Sequence, residues 1–170
     1  MSSRNLDDCI YQLKIFATEL IKRAKEELRL KVIVVSVMRT YLEQVALHAQ
    51  GRLPLYEVNL ARKKAGMLPI EAHLNNIVTW TLNSKHIINL DDAFPENDKS
   101  KAVDFGILDK YGKYQGSDKA DVNKDNEPDY IQLGELGVKL AGEFDYPIIW
   151  GGNPKSRFKG KDPSHFEWMI

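Results

Sequence analysis

Residues 31–37, Lys-Val-Ile-Val-Val-Ser-Val, are β-branched and almost wholly apolar, and this run leaves the chain few arrangements to choose from. It reads as a strand covered on both faces, so other elements must lie over it. The covering elements are legible around it. Across residues 6–30 the apolar residues Leu6, Ile10, Leu13, Ala17, Leu20, Ile21, Ala24 and Leu28 recur at intervals of three and four, which predicts an amphipathic helix with Asn5 as its N-cap. Residues 40–50 predict a second helix closed by Gly51 at a C′ position, and residues 130–143 a third. Residues 52–77 read as a short helix between loops, where Arg62, Lys63 and Lys64 form a solvated face. His48 falls on a structural or surface position, and His73 has no partner at a recognisable ligand spacing.

At 170 residues the chain is long enough for one well-buried core, so residues 1–170 read as a single domain. Lysine plus arginine and aspartate plus glutamate both number 24, which removes the global basic field that nucleic acid or an anionic membrane would need. The lone cysteine, Cys9, excludes an internal disulfide and reads as a small buried hydrophobe. No apolar segment resembles an export signal or approaches the ~18 residues of a membrane span.

Chemistry concentrates near the C-terminus, in Asp162-Pro163-Ser164-His165-Phe166-Glu167-Trp168. Asp-Pro at the first two positions of a β-turn would fold His165 back beside Asp162. The alternation that follows puts His165, Glu167 and Met169 on one strand face and Phe166, Trp168 and Ile170 on the other. Upstream, Val103, Phe105 and Ile107 share one face while Ala102, Asp104 and Gly106 share the opposite one, leaving room around a carboxylate. Residues 77–81, Ile-Val-Thr-Trp-Thr, read as a further strand whose exit carries His86, and residues 148–150 as a strand or turn. A polar loop containing Asp91, Asp92 and Glu96 separates His86 from the strand bearing Asp104.

His86, Asp104 and His165 are therefore candidate ligands on a strand scaffold. Two imidazoles and one carboxylate suit Zn²⁺, and three protein ligands leave a fourth position for a water whose pKa falls to about 7. Asp162 is the natural general base for that water, and Arg39, at the end of the 31–37 strand, the candidate to neutralise an oxyanion. A second cation is suggested by Asp121, Asn123, Asp125 and Glu127, oxygen ligands at every second position as in the start of a calcium loop, although Asn126 and Gln132 stand where that loop wants Gly and Glu.

The ordered segments Ser-Val-Met-Arg39-Thr, Gln44-Val-Ala-Leu-His-Ala49-Gln50-Gly51-Arg52, Val78-Thr79-Trp80, Ser84-Lys-His86, Ala102-Val-Asp104-Phe, Trp150-Gly-Gly and Asp162-Pro-Ser-His165-Phe together resemble the M15 metallopeptidases. The likeness is to the L-alanyl-D-glutamate endopeptidases found as bacteriophage endolysins and bacterial cell-wall hydrolases. It implies an α+β fold of the D-Ala-D-Ala carboxypeptidase/hedgehog type, with a small antiparallel sheet and flanking helices. It further implies zinc on His86, Asp104 and His165, a base at Asp162 and a substrate-stabilising Arg39. Related D,D-peptidases carry Glu three residues before the last histidine, so Asp162 matches the endopeptidase branch. Two departures stand out: His86 and Asp104 are 18 positions apart where relatives have a shorter stretch with a glycine, and residues 53–76 exceed the compact linker of relatives.

The expected activity is hydrolysis of the L-Ala to D-Glu bond of peptidoglycan stem peptides by metal-activated water, in a bacteriolytic phage lysin. Alternatives are D,D-carboxypeptidase or dipeptidase action and a non-catalytic wall-binding domain. A monomer made in the host cytoplasm without a signal peptide, and released to the wall with the help of a holin, completes the expectation.

Overall fold

The computed structural model describes residues 2–88 and 98–169. The polar loop read at Asp91, Asp92 and Glu96, and Ile170 of the last strand, lie outside the described residues. The fold is α+β. Strands β1 (Lys31–Ser36), β2 (Ala102–Leu108), β4 (Ile148–Trp150) and β5 (His165–Trp168) form an antiparallel sheet in the order β1-β2-β5-β4, with β3 (Tyr114–Gln115) pairing to the end of β2. Among the described residues four α-helices accompany it: α1 (Tyr11–Glu27), α2 (Tyr41–Ala49), α3 (Leu55–Lys64) and α4 (Asp129–Phe144).

The alternation in β2 dictates the layering. Val103, Phe105 and Ile107 are fully buried with Leu13, Phe16 and Leu20 of α1, Leu133 and Leu140 of α4, and Phe166 of β5. The Phe166 ring lies 5.4 Å from that of Phe16 and 5.7 Å from that of Phe105, so one aromatic joins helix and sheet. Burying a large apolar side chain contributes about 1.5–3 kcal/mol, which makes this face the principal source of stability. The opposite face carries Ser36, Asp104 and His165, aligned across β1, β2 and β5 by register. Val35 is the extra residue of a bulge in β1, and it is this bulge that sets Ser36 opposite Asp104.

Three expectations are corrected. First, β1 is not covered on both faces: it is an outer strand of the sheet, and its residues Ile33, Val34 and Val35 are only half-buried. The N-terminal segment shields its end instead, through Ser3 N–H to Met38 O (2.9 Å) and Val37 N–H to Ser3 O (2.8 Å). Second, the helix read from residue 6 is a short 3₁₀ turn, Leu6–Asp8, followed by α1. Backbone pairing interrupts it, because Ser100 N–H donates to Asp8 O and Ile10 N–H to Ser100 O. Asn5 still caps, accepting from Asp7 N–H at 3.0 Å. Third, residues 77–81 are not a strand. Side chains hold them in place of a ladder: Gln44 Nε2 donates to Thr79 Oγ1 and Thr81 O, and Arg52 to Thr79 O. Ile77, Val78 and Trp80 are exposed there, at 42%, 53% and 64%.

Cys9 is buried at 4% exposure, and burial pushes its thiol up to about 12. Gly51, with φ +70°, ends the turn after α2 in the left-handed region as expected of C′. Among the described residues no helix is long and apolar enough to cross a membrane.

A glycine in α4 controls how closely the helix approaches the sheet. A Cβ on Gly134 would lie 2.0 Å from Cε2 and Cζ2 of Trp150, a buried ring whose Nε1–H is fixed on Pro163 O at 2.9 Å. Alanine favours a helix by about 1 kcal/mol over glycine, whereas overpacking a locked core costs about 1–3 kcal/mol. Gly134→Ala is therefore expected to destabilise, seen as a lower urea midpoint at unchanged slope. A raised midpoint would show that Trp150 can move aside.

Candidate metal centre

Each residue of the centre is positioned by a separate device. Asp104 projects from β2, directly opposite His165 in register. His165 begins β5 after the expected turn, its N–H donating to Asp162 O at 3.2 Å. The turn is anchored on two sides, by Phe105 N–H to Ser164 O (3.0 Å) and Gly151 N–H to His165 O (2.8 Å). His86 comes from an irregular segment rather than a strand exit. Arg39 N–H donates to His86 O (2.8 Å) and Ile88 N–H to Arg39 O (3.2 Å), so a single bridge clips the two candidate residues together. Arg39 itself precedes a capping box, in which Thr40 and Glu43 satisfy each other's backbone N–H at the start of α2.

One ligand atom from each of His86, Asp104 and His165 falls within 4.8 Å of the others. Asp104 Oδ1 lies 3.2 Å from His86 Nε2 and 2.8 Å from His165 Nδ1, while its Oδ2 accepts from Arg39 Nη2 at 3.0 Å. The second ring nitrogens are held from behind. Nδ1 of His86 donates to Val37 O at 2.6 Å, and Nε2 of His165 meets Oε2 of the buried Glu167 at 3.1 Å. A carbonyl only accepts, so His86 carries a hydrogen on Nδ1 and turns Nε2 toward Asp104. Nε2 and the carboxylate oxygen, 3.2 Å apart, need a proton or a cation between them. Zinc at about 2.0–2.2 Å from tetrahedral N and O ligands would space those ligands by about 3.4 Å; the donor set is of the type that holds such an ion, with Asp104–His86 at 3.2 Å near that spacing and Asp104–His165 at 2.8 Å tighter.

The charges respond to this crowding. Burial alone would raise Asp104, but His86 and His165 beside it hold it well below the usual carboxylate range. Burial alone would lower His165, yet its bonds to Asp104 and Glu167 push it up to about 9. Glu167, which burial would raise, is brought below its ordinary value by His165 and Arg157, whose Nη2 it also accepts from. Asp162 moves the other way: burial pushes it up and Asp104 adds to the shift, against the pull of His165 and of Ser164, whose Oγ donates to its Oδ1 at 3.0 Å.

The centre opens into a cleft of about 280 Å³ bounded by Trp80, Thr79, Phe158, Lys161 and Asp162. Asp162 and Arg39 both line it. His48 and His73 do not; His73 sits on the surface 3.3 Å from Glu71. The acidic loop is arranged differently from a cation cage. Asp121 accepts from Asp125 N–H and Asn126 N–H, and Asp125 from Glu127 N–H, while Gln132 Nε2 and Asn123 Nδ2 close on Asp125 Oδ2. Among the described residues only His86, Asp104 and His165 form a group of three or more such side chains at metal spacing, so the calcium expectation gains no support from the loop's geometry.

Glu167 is the neighbour of the candidate centre that pattern reading missed in kind. Its place on the His165 face was evident from alternation, but a carboxylate two residues along a strand reads as solvent-facing until Arg157 is seen to cover it. No protein-family model and no curated protein sequence matches this chain. In three dimensions it is similar to the crystal structure of Serratia marcescens L-Ala D-Glu endopeptidase ChiX, at 18% identity and a TM-score of 0.52, over 99% of this chain and 89% of that one, and the two share a fold.

Proposed function

We propose that this chain is a zinc-dependent peptidase of the M15 type that cleaves the L-Ala to D-Glu bond of peptidoglycan stem peptides. The observation that carries the reading is the cleft in which His86 Nε2, Asp104 Oδ1 and His165 Nδ1 converge beside Asp162. The fold shared with an L-Ala D-Glu endopeptidase supports it, as do the motif resemblances along the chain.

His86, Asp104 and His165 would hold the ion; bound there, zinc supplies Lewis-acid polarisation and a water acidic enough to ionise near neutral pH. Val37 O and Glu167 fix which ring nitrogens face it, the role that carboxylates and carbonyls behind ligand imidazoles commonly play. Asp162 takes a proton from the attacking water and returns it to the leaving amine nitrogen, and a carboxyl raised by burial is better matched to that exchange than an exposed one. Arg39 has five N–H donors, three of them committed to Ser36, Gln44 and Asp104. The remaining two serve an oxyanion developing in the cleft.

The reading is tested by incubating the protein with purified peptidoglycan and following newly exposed amino groups. Release that stops with a chelator and returns with added zinc supports it; release indifferent to the chelator contradicts it.

A further inference from the structure

The chain is neutral overall, yet the wall of the cleft beside Asp162 is not. Arg157, Lys159 and Lys161 stand within five residues, and with Trp80 and Phe158 they line a second hollow of about 330 Å³ that shares Trp80, Thr81, Arg157, Phe158, Lys161 and Asp162 with the metal-centre cleft. Lys161 lines both hollows. A turn places it there: Lys161 N–H donates to Phe158 O at 3.1 Å, and both intervening residues have positive φ, Lys159 at 52° and Gly160 at 75°. Left-handed φ at both central positions is the pattern of a type I′ turn, which brings its first and fourth residues together. Phe158 and Lys161 thus flank the turn, and both line the cleft. Lys161 Nζ lies 6.0 Å from the centre of the Trp80 ring on the opposite wall, and the Phe158 ring lies 4.8 Å from that of His165.

The cations are not equally available. Arg39 is tied to Asp104, and Arg157 to Glu167. Lys159 and Lys161 have no carboxylate partner among the described residues, and of these two only Lys161 reaches into the metal-centre cleft. A substrate cut at an L-Ala to D-Glu bond carries a matching group. D-Glu keeps two carboxyls, and a linear peptide continues through at most one of them. The other remains a free carboxylate a few bonds from the scissile nitrogen, unless it is amidated.

We propose that Lys161, set at the cleft mouth by the Phe158–Lys161 turn, receives the free carboxylate of the residue on the leaving side of the scissile bond, so that the enzyme prefers stem peptides bearing D-Glu over those amidated at that carboxyl. The proposal rests on the peptidase reading above. Lys161 is then a specificity residue, contacting substrate without taking part in proton transfer. A charge-assisted hydrogen bond at a partly desolvated site corresponds to about tenfold in kcat/KM or more.

The test compares two soluble stem peptides, identical except that one carries D-Glu and the other its amidated counterpart, cleaved by wild type, Lys161→Met and Lys161→Arg. Zinc content and the urea midpoint are recorded for each protein. Wild type is expected to favour the D-Glu peptide by about tenfold. In Lys161→Met that ratio collapses toward one, mainly through a higher KM on the D-Glu peptide, and Lys161→Arg keeps most of it, all three proteins holding the same zinc and the same midpoint. A wild-type ratio near one, or a Lys161→Met ratio equal to that of wild type, overturns the subsite while leaving the peptidase reading intact. Cleavage of neither peptide by zinc-loaded wild type overturns that reading, and the subsite with it.

Discussion

Asp104→Asn is expected to lower peptide hydrolysis by about 10³-fold or more and to strip the centre of its metal at zinc concentrations that saturate wild type, as read by metal analysis after gel filtration. The reason is the number of tasks that one carboxylate performs. Oδ1 faces both ligand imidazoles, at 3.2 Å and 2.8 Å, and Oδ2 accepts from Arg39 at 3.0 Å. An amide of the same shape can still accept from Arg39 through its oxygen, but it then turns an NH₂ toward the metal position and removes the only negative charge in the ligand set. The alanine variant is a poorer probe: it leaves a half-buried arginine without its carboxylate, and losing one partner of a buried ion pair costs about 3–5 kcal/mol. Asp104→Asn should therefore fold and fail to hold metal, whereas Asp104→Ala should show both a lost metal and a lowered urea midpoint. Full zinc occupancy in Asp104→Asn would remove Asp104 from the ligand set.

Asp162→Asn separates chemistry from metal binding. Asp162 is not among the three converging ligands, and its turn is fixed by backbone bonds from Phe105, Gly151 and His165 that the substitution leaves in place. The Ser164 hydroxyl that donates to Asp162 Oδ1 can donate equally to an amide oxygen. What is lost is the capacity to take up a proton beside the cleft. The expected result is zinc content and stability like wild type, KM within a few-fold, and kcat reduced by about 10²–10⁴-fold, the usual contribution of a positioned acid–base group. Retained kcat would move the proton-transfer role to another group; loss of zinc would mean that Asp162 acts through the ligands.

Alternation made much of the fold legible in the sequence. Val103, Phe105 and Ile107 read as one face, and all three are fully buried; Asp104 read as the opposite face, and it is there that His165 meets it. The Asp162 turn followed from Asp-Pro, since proline presets the backbone of the second turn position. The misreadings share a cause, which is bonding to partners remote in sequence. Residues 77–81 have the composition of a strand, but Gln44 and Arg52 occupy their polar groups, so their side chains remain exposed around the cleft. β1 has the composition of a central strand and sits at the side of the sheet, because nothing within it specifies how many neighbours it receives. β3 is two residues long in a hydrophilic stretch, below what periodicity can detect. The space expected around Asp104 from Gly106 is occupied: a Cβ there would meet Tyr114 Cε2 and Val35 Cγ2 at 2.6 Å, so the glycine admits a neighbouring ring from β3.

The candidate site was legible by residue type and only partly by arrangement. Histidines and carboxylates in the right chemical ratio were visible, and their convergence depends on register: Asp104 opposite His165 across β2 and β5, and Arg39 bridged to the segment of His86. That Glu167 backs His165 and that Arg39 is committed to Asp104 are facts of packing, with no counterpart in spacing along the chain.

The central claim is most directly tested by mass spectrometry of peptides released from purified peptidoglycan by the zinc-loaded protein, alongside chelated and Asp162→Asn samples. Released peptides beginning with D-Glu, absent from both controls, are the expected result. Loss of terminal D-Ala in their place, or tight wall binding with no new N-terminus, would contradict the assignment of the cleft to the L-Ala to D-Glu bond.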